Sequence, residues 1–192
     1  MDIYKIAILV SGAGTNAINI IEYFEKNSVA DVALVISNKT DALAVEKAQN
    51  KGVRTIIFNN ESFKKNGKVL DYLRSQSIDF IVLAGFLMKI PNDIIHAYPN
   101  KIVNLHPSLL PKYGGKGMYG KYVHRAVIEA QESESGISIH FVNEEYDEGA
   151  IIFQAKVSVE KGDSVEVLAQ KIQQLERRFF PKVIEQVISK SL

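Results

Sequence analysis

Three segments of the chain combine residue types that can do chemistry together. In the run NLHPSLLP, Asn104 and His106 stand two apart at the end of an apolar stretch. On a strand that spacing sends both side chains to the same face. An amide beside an imidazole can polarise a carbonyl, stabilise an oxyanion and move a proton. A histidine at a sheet edge is also a common hydrogen-bonded structural residue. The neighbouring Asn104 and the turn bounded by Pro107 and Pro111 favour chemistry here.

The second segment is SGAGTNA, residues 11–17. Gly12 and Gly14 permit a tight turn and a close backbone approach, and the helix that follows presents free N–H groups to an anion. With Ala17 the segment also satisfies the loose G-x-G-x-x-A dinucleotide pattern. A nicotinamide site places an acid at the end of the second strand, where this chain has Ser37-Asn38-Lys39, and Asp41 is a poor substitute. A single phosphate is the expected ligand, against the blander reading of a plain tight turn. The third segment, NEEYDEG at 143–149, holds Glu144, Glu145, Asp147 and Glu148. A carboxylate near a histidine orients it and stabilises its charged form, but residue type alone does not choose among the four, and by itself the segment reads as a solvated hairpin turn. Of the other histidines, His96 is expected at the surface. His124 would contact a substrate or cap its helix, and His140 stands mid-strand with a core role and a site role both open. No H-E-x-x-H or comparable spacing is present, so no metal is expected.

The elements that must position these residues alternate. Apolar runs at 3–10, 30–36, 53–58, 80–84 and 101–105 read as buried strands. Between them lie helical patterns at 15–27 (Ala17, Ile20, Ile21 and Phe24 on one face), 42–51 (capped by Thr40 or Asp41 and stopped by Gly52), 68–75 and 91–97. This alternation predicts an α/β fold with a mostly parallel sheet covered by helices on both faces. A long connection, 107–122, carries two prolines and four glycines, and a loop of that size is more often functional than decorative. A helix near 123–130 and strands at 136–142 and 150–159 follow, adding an antiparallel C-terminal edge to make about seven strands. The last helix starts at Asp163-Ser164, where Asp163 and Glu166 have capping-box spacing. Val165, Leu168, Ile172, Leu175 and Phe179 form its packing face, and Pro181 is expected to kink or end it.

With 192 residues, 46% apolar and 23% charged, the chain has the make-up of one globular domain, expected to span 1–192. A net charge of +1 gives no nucleic-acid surface and no polybasic membrane anchor. The absence of cysteine excludes disulfides and thiol nucleophiles and fits a cytoplasmic protein. The N-terminal apolar run is too short for a signal peptide or a spanning helix.

Together the blocks ILVSGAGTNA, VLAGFLMKIP, IVNLHPSLLPKYGG and GISIHFVNEEYDEGAIIFQAKV, in that order, resemble the folate-dependent formyltransferase family over essentially the whole chain. The G-x-G-[ST]-N loop is similar to that of the members that formylate glycinamide ribonucleotide. The resemblance implies a Rossmann-like formyltransferase fold and transfer of a formyl group from 10-formyltetrahydrofolate, as co-substrate, to the primary amine of glycinamide ribonucleotide. It implies no metal, no nucleic-acid or membrane partner, and a monomer or homodimer. Asn104, His106 and Asp147 match the family's catalytic positions: Asn104 and His106 stabilise the oxyanion, and Asp147 holds His106 charged and relays protons. Gly14, Thr15 and Asn16 match the phosphate-binding backbone, and Gln173 and Glu176 match substrate-binding positions. Leu87, Met88, Lys89 and Ile90, with Asn143, Glu144, Glu145, Tyr146 and Asp147, match the walls of the folate pocket. Two departures stand out. Ser62, with Lys64 and Lys65 close by, aligns where some relatives carry an arginine for the folate tail, and the loop KYGGKGMYGKY, 112–122, is longer than in many relatives. Formyltetrahydrofolate hydrolases and tRNA formyltransferases share the chemistry but carry an extra domain for which 192 residues leave no room. A nucleotide-binding oxidoreductase and a non-catalytic ligand-binding module are the more distant alternatives.

Overall fold

A computed structural model describes residues 3–64 and 67–191. Its parallel strands are the apolar runs: β1 (Tyr4–Val10), β2 (Ala30–Ser37), β3 (Thr55–Ile57), β4 (Phe80–Leu83) and β5 (Ile102–His106). β6 (Glu134–Phe141) and β7 (Ile151–Ser158) extend the same sheet antiparallel, giving the order β3-β2-β1-β4-β5-β6-β7 among the described residues. The helices are α1 (Thr15–Phe24), α2 (Leu43–Asn50), α3 (Asn60–Lys64), α4 (Lys68–Ser75), α5 (Asn92–Ala97), α6 (Lys121–Glu129) and α7 (Val165–Ser191).

Side-chain alternation sorts the core into two layers. Ile6, Ile8 and Val10 of β1 face α1, α2, α6 and α7, whereas Ala7 and Leu9 face α3, α4 and α5. Both faces of the central strands are therefore buried, which is why those runs are continuously apolar. In β2 the alternation breaks: Ile6 pairs with Val32 but Ala7 with Leu34, so Ala33 is an extra residue. That bulge lets Val32 and Leu34, two apart, point into opposite layers.

Several local expectations change. Neither Thr40 nor Asp41 caps α2; Ala42 takes that position with no side-chain bond. β3 is only three residues because it pairs on one side, with Val35–Ser37. The short α3 had no periodicity to betray it, and its start is held by Asn59 Oδ1, which accepts from the Ser62 N–H at 2.9 Å. Ser164, not Asp163, caps α7: its Oγ accepts from the Val167 N–H at 3.2 Å, while Asp163 accepts from the Glu160 N–H and pairs with Lys171. Pro181 does not end α7, which runs on to Ser191. Proline leaves the carbonyl four residues back without its helical donor, and here the Arg177 carbonyl accepts instead from Asn19 Nδ2 of α1 at 3.0 Å.

The stretch beyond Pro181 matters to the core. Val183, Ile184, Val187 and Ile188 are buried there, and Phe180 is fully buried, whereas Phe179 is only partly so. Phe180→Ala should cost about 3–5 kcal/mol of stability through lost burial and a residual cavity. Urea unfolding followed by circular dichroism should show the midpoint fall in proportion.

Candidate active site

The pairing of β5 with β6 builds the centre of the site. Their antiparallel register sets Asn104 opposite His140 and His106 opposite Ser138. Asn104 Nδ2 lies 3.1 Å from His140 Nε2. His140 Nδ1 donates to the Phe141 carbonyl at 2.8 Å, which leaves Nε2 as the acceptor of the Asn104 amide. His106 Nε2 donates to the Tyr113 carbonyl at 2.7 Å, fixing its ring against the loop that follows β5.

The turn after β6 closes over this layer and delivers one of its four acids. Asp147 Oδ2 lies 3.4 Å from His106 Nδ1 and accepts from the Gly115 N–H at 2.9 Å. Its Oδ1 lies 3.7 Å from His140 Nε2 and 3.5 Å from Asn104 Nδ2. Glu144 instead pairs with His96 at 2.6 Å, and Glu145 and Glu148 are exposed. The amide, imidazole and acid expected from sequence thus converge, with His140 as a fourth member.

Burial sets the charge state. It pushes the His106 imidazole below its ordinary range and outweighs the opposing pull of Asp147 and the Tyr113 carbonyl. Asp147 thus favours the charged ring, as expected, while burial opposes it with the larger effect. Burial alone would raise the Asp147 carboxyl, but the neighbouring His140 and His106 rings and the Gly115 N–H hold it below the usual range. A proton arriving at His106 meets an acceptor on each side, the Tyr113 carbonyl and Asp147.

These groups open into a cavity of about 560 Å³. The β1–α1 loop, with Gly14, Thr15 and Asn16, lines the same cavity. Gly14 adopts φ 74°, and a Cβ there would stand 2.5 Å from Ala44 Cβ, so both conformation and close approach to α2 demand glycine. α1 starts without a side-chain cap and with no acid in its first turn, which leaves its leading N–H groups for an anion. Gln173 and Glu176 of α7 line the same cavity. Asn16 Nδ2 donates to Glu176 Oε2 at 2.8 Å, while Asn16 Oδ1 is buried without a partner. Burial raises the Glu176 carboxyl against the opposing effects of Asn16 and Arg177.

Leu87 and Tyr146 also border a second chamber of about 570 Å³, with Met88, Lys89, Ile90 and Phe63. Lys89 Nζ lies 5.7 Å from the Tyr146 ring centroid, tying the two expected folate walls together. Asn143, Glu144 and Glu145 line neither chamber. Their side chains brace the turn: Asn143 accepts from the Glu145 N–H, and Glu144 holds Asn92 and His96. The Ser62 hydroxyl is engaged by Asn59. Lys65 and the Lys64 side chain lie outside the described residues.

Two participants needed the fold to be seen. His140 sits with Ser138 on one face of β6, alternating with Ile137, Ile139 and Phe141, and that pair of polar alternates is the sequence signal for it. His124 of α6 is buried in the cavity wall, and its Nδ1 has no partner. Burial and the nearby His106 lower its pKa.

A seven-stranded sheet with a phosphate-type loop on β1 and an Asn–His–Asp cluster at the β5–β6 edge defines a formyl-transfer scaffold, and the chain belongs to the formyl transferase family, whose sequence pattern matches residues 4–184. It is 40% identical over 186 residues to the chloroplastic phosphoribosylglycinamide formyltransferase of Arabidopsis thaliana, covering 94% of this chain and 64% of that protein. The phosphoribosylglycinamide formyltransferase of Haemophilus influenzae is 39% identical, with 94% and 85% covered. The crystal structure of the phosphoribosylglycinamide formyltransferase from Bacillus halodurans superposes with a TM-score of 0.88 at 34% identity, covering 98% of this chain and 97% of that one. Among the described residues no helix is long and apolar enough to cross a membrane.

Two buried histidines with lowered pKa make the fold acid-sensitive. Unfolded, each would protonate near its ordinary value of 6.5; folded, each resists. Their stabilising contribution is complete above about that pH and is lost as pH falls through it toward the folded values. The urea midpoint should therefore drop between pH 7 and pH 5, and His124→Asn should flatten part of that slope.

Proposed function

We propose that the protein transfers the formyl group of 10-formyltetrahydrofolate to the primary amine of glycinamide ribonucleotide, yielding formylglycinamide ribonucleotide and tetrahydrofolate, a step of de novo purine biosynthesis. Residues 1–192 act as a single formyltransferase domain. The observation that carries this reading is the convergence of Asn104, His106 and Asp147 on one cavity that an uncapped helix start also lines.

The β1–α1 loop at Gly14, Thr15 and Asn16 takes the phosphate, and Gln173 and Glu176 take other polar groups of the ribonucleotide. The unpartnered Asn16 Oδ1 is an acceptor available to a hydroxyl. The folate lies against Leu87, Met88, Lys89 and Ile90 on one side and Tyr146 and Asp147 on the other, across the shared border at Leu87 and Tyr146.

In the reaction the amine nitrogen attacks the formyl carbon, forming a C–N bond and an oxyanion. Asn104 has one amide hydrogen committed to His140, while the other faces Asp147 at 3.5 Å. A contact that long is weak, so this hydrogen is the one free to turn to the oxyanion. His106 takes a proton from solvent and, as imidazolium between Tyr113 and Asp147, stabilises the charge that has developed, returning that proton to solvent when the carbonyl re-forms. Asp147 accepts a proton from the attacking amine through water and passes it toward the folate nitrogen as the bond from that nitrogen to the formyl carbon breaks.

The oxidoreductase alternative is not favoured: Ser37 and Asn38 end β2 where a dinucleotide site needs an acid, and the Asn38 side chain is engaged with Ser11 and Asn60. Incubation with both substrates should release tetrahydrofolate, detected by absorbance. Asp147→Asn and His106→Ala should each lower kcat by roughly 10²–10³ while leaving ribonucleotide binding by calorimetry intact. Unchanged rates in both variants would contradict the assignment and leave a binding module.

A further inference from the structure

The charge inventory of the main cavity is unusual for a phosphate site. Among the described residues lining it are two carboxylates, Asp147 and Glu176, two histidines lowered by burial, and one Lys or Arg side chain, Lys116. A phosphate monoester carries about 1.5–2 negative charges near pH 7. A helix N-terminus supplies only about half a positive charge in return. The cavity needs another cation.

Nearby cations are otherwise placed. Lys47 donates to the Ala13 carbonyl at 2.9 Å from outside the cavity. Lys89 stands over Tyr146, bordering the second chamber. Lys116 is exposed and has no hydrogen bond or ion pair among the described residues. It sits in the long connection singled out in the sequence, in a turn where Gly115 and Gly117 adopt φ 95° and 90°. A Cβ on either would meet nothing within 4 Å, so backbone conformation and not packing selects glycine there. The root of the turn is fastened to the chemistry, because the Gly115 N–H donates to Asp147 at 2.9 Å.

We propose that Lys116 is the counter-ion of the substrate's phosphate, presented from the glycine-flanked turn on the cavity that the β1–α1 loop also lines, and that it selects the phosphorylated amine over its dephosphorylated form. This rests on the formyl-transfer reading. It gives the loop a specificity role that Asn104, His106 and Asp147, acting at the formyl carbon, do not supply.

The test compares kcat/KM for glycinamide ribonucleotide with that for the corresponding ribonucleoside. In Lys116→Ala the ratio should fall roughly 10–100-fold, as expected for a lost charge-assisted bond, through KM for the ribonucleotide with kcat nearly kept. The ribonucleoside should react as before, Lys116→Arg should recover most of the loss, and Lys121→Ala, a surface cation next to the same loop, should leave the ratio unchanged. Equal ratios in the unsubstituted and Lys116→Ala proteins overturn the assignment. Absence of turnover in the unsubstituted protein overturns the formyl-transfer reading instead. The lysine is then judged by calorimetric binding of inorganic phosphate: about tenfold weaker binding in Lys116→Ala upholds it, and equal affinities reject it.

Discussion

The antiparallel pairing of β5 with β6 is the constraint on which the site depends. It sets Asn104 opposite His140 at the carboxyl end of an otherwise apolar sheet. Polar groups buried there must find partners within the protein. His140 supplies one for Asn104, the Tyr113 carbonyl supplies one for His106, and the 143–149 turn folds back to supply Asp147. The close return of that turn shows at Gly149, where a Cβ would collide with the Phe141 carbonyl oxygen. A cluster so satisfied holds its donors and acceptors in fixed directions, the form of preorganisation that electrostatic catalysis requires.

Burial has a second consequence. It lowers the His106 pKa, although Asp147 beside it pulls the other way. A neutral imidazole flanked by two acceptors has capacity for a proton at the moment charge develops, whereas a permanently charged ring would have none. The same desolvation raises the Glu176 carboxyl beside the β1–α1 loop. Environment, more than residue type, therefore assigns the protonation states across the cavity.

The fold supports the site by fastening distant elements to it. Ser11 Oγ donates to Asn38 and accepts from the Leu87 N–H, joining the ends of β1, β2 and β4 beneath the cavity mouth. Asn19 of α1 satisfies the carbonyl that Pro181 frees in α7, and Asn16 bonds to Glu176 one turn of α1 earlier. The phosphate loop and the α7 wall are thus locked in register by two asparagines on one helix. Gly115 links the long connection to Asp147 in the same manner.

Much of this was written in the sequence. Continuous apolar runs gave the parallel strands because a sheet buried on both faces tolerates little else, and the spacing of Asn104 and His106 gave their common face. The G-x-G segment was legible as a tight turn because glycine at residue 14 answers a backbone need that local chemistry already expresses. Residue type alone did not choose Asp147 among four neighbouring acids, where only the family resemblance did, nor did it place His140 beside Asn104 or show that α7 continues through Pro181. Each of those depends on partners 36 to 158 residues away: His140 for Asn104, Asp147 for Asn104 and Asn19 for Arg177. Local periodicity records which face of an element is apolar. It holds no record of which other element arrives there, and the resting charge of His106 follows from that arrival, since only the assembled fold removes its water.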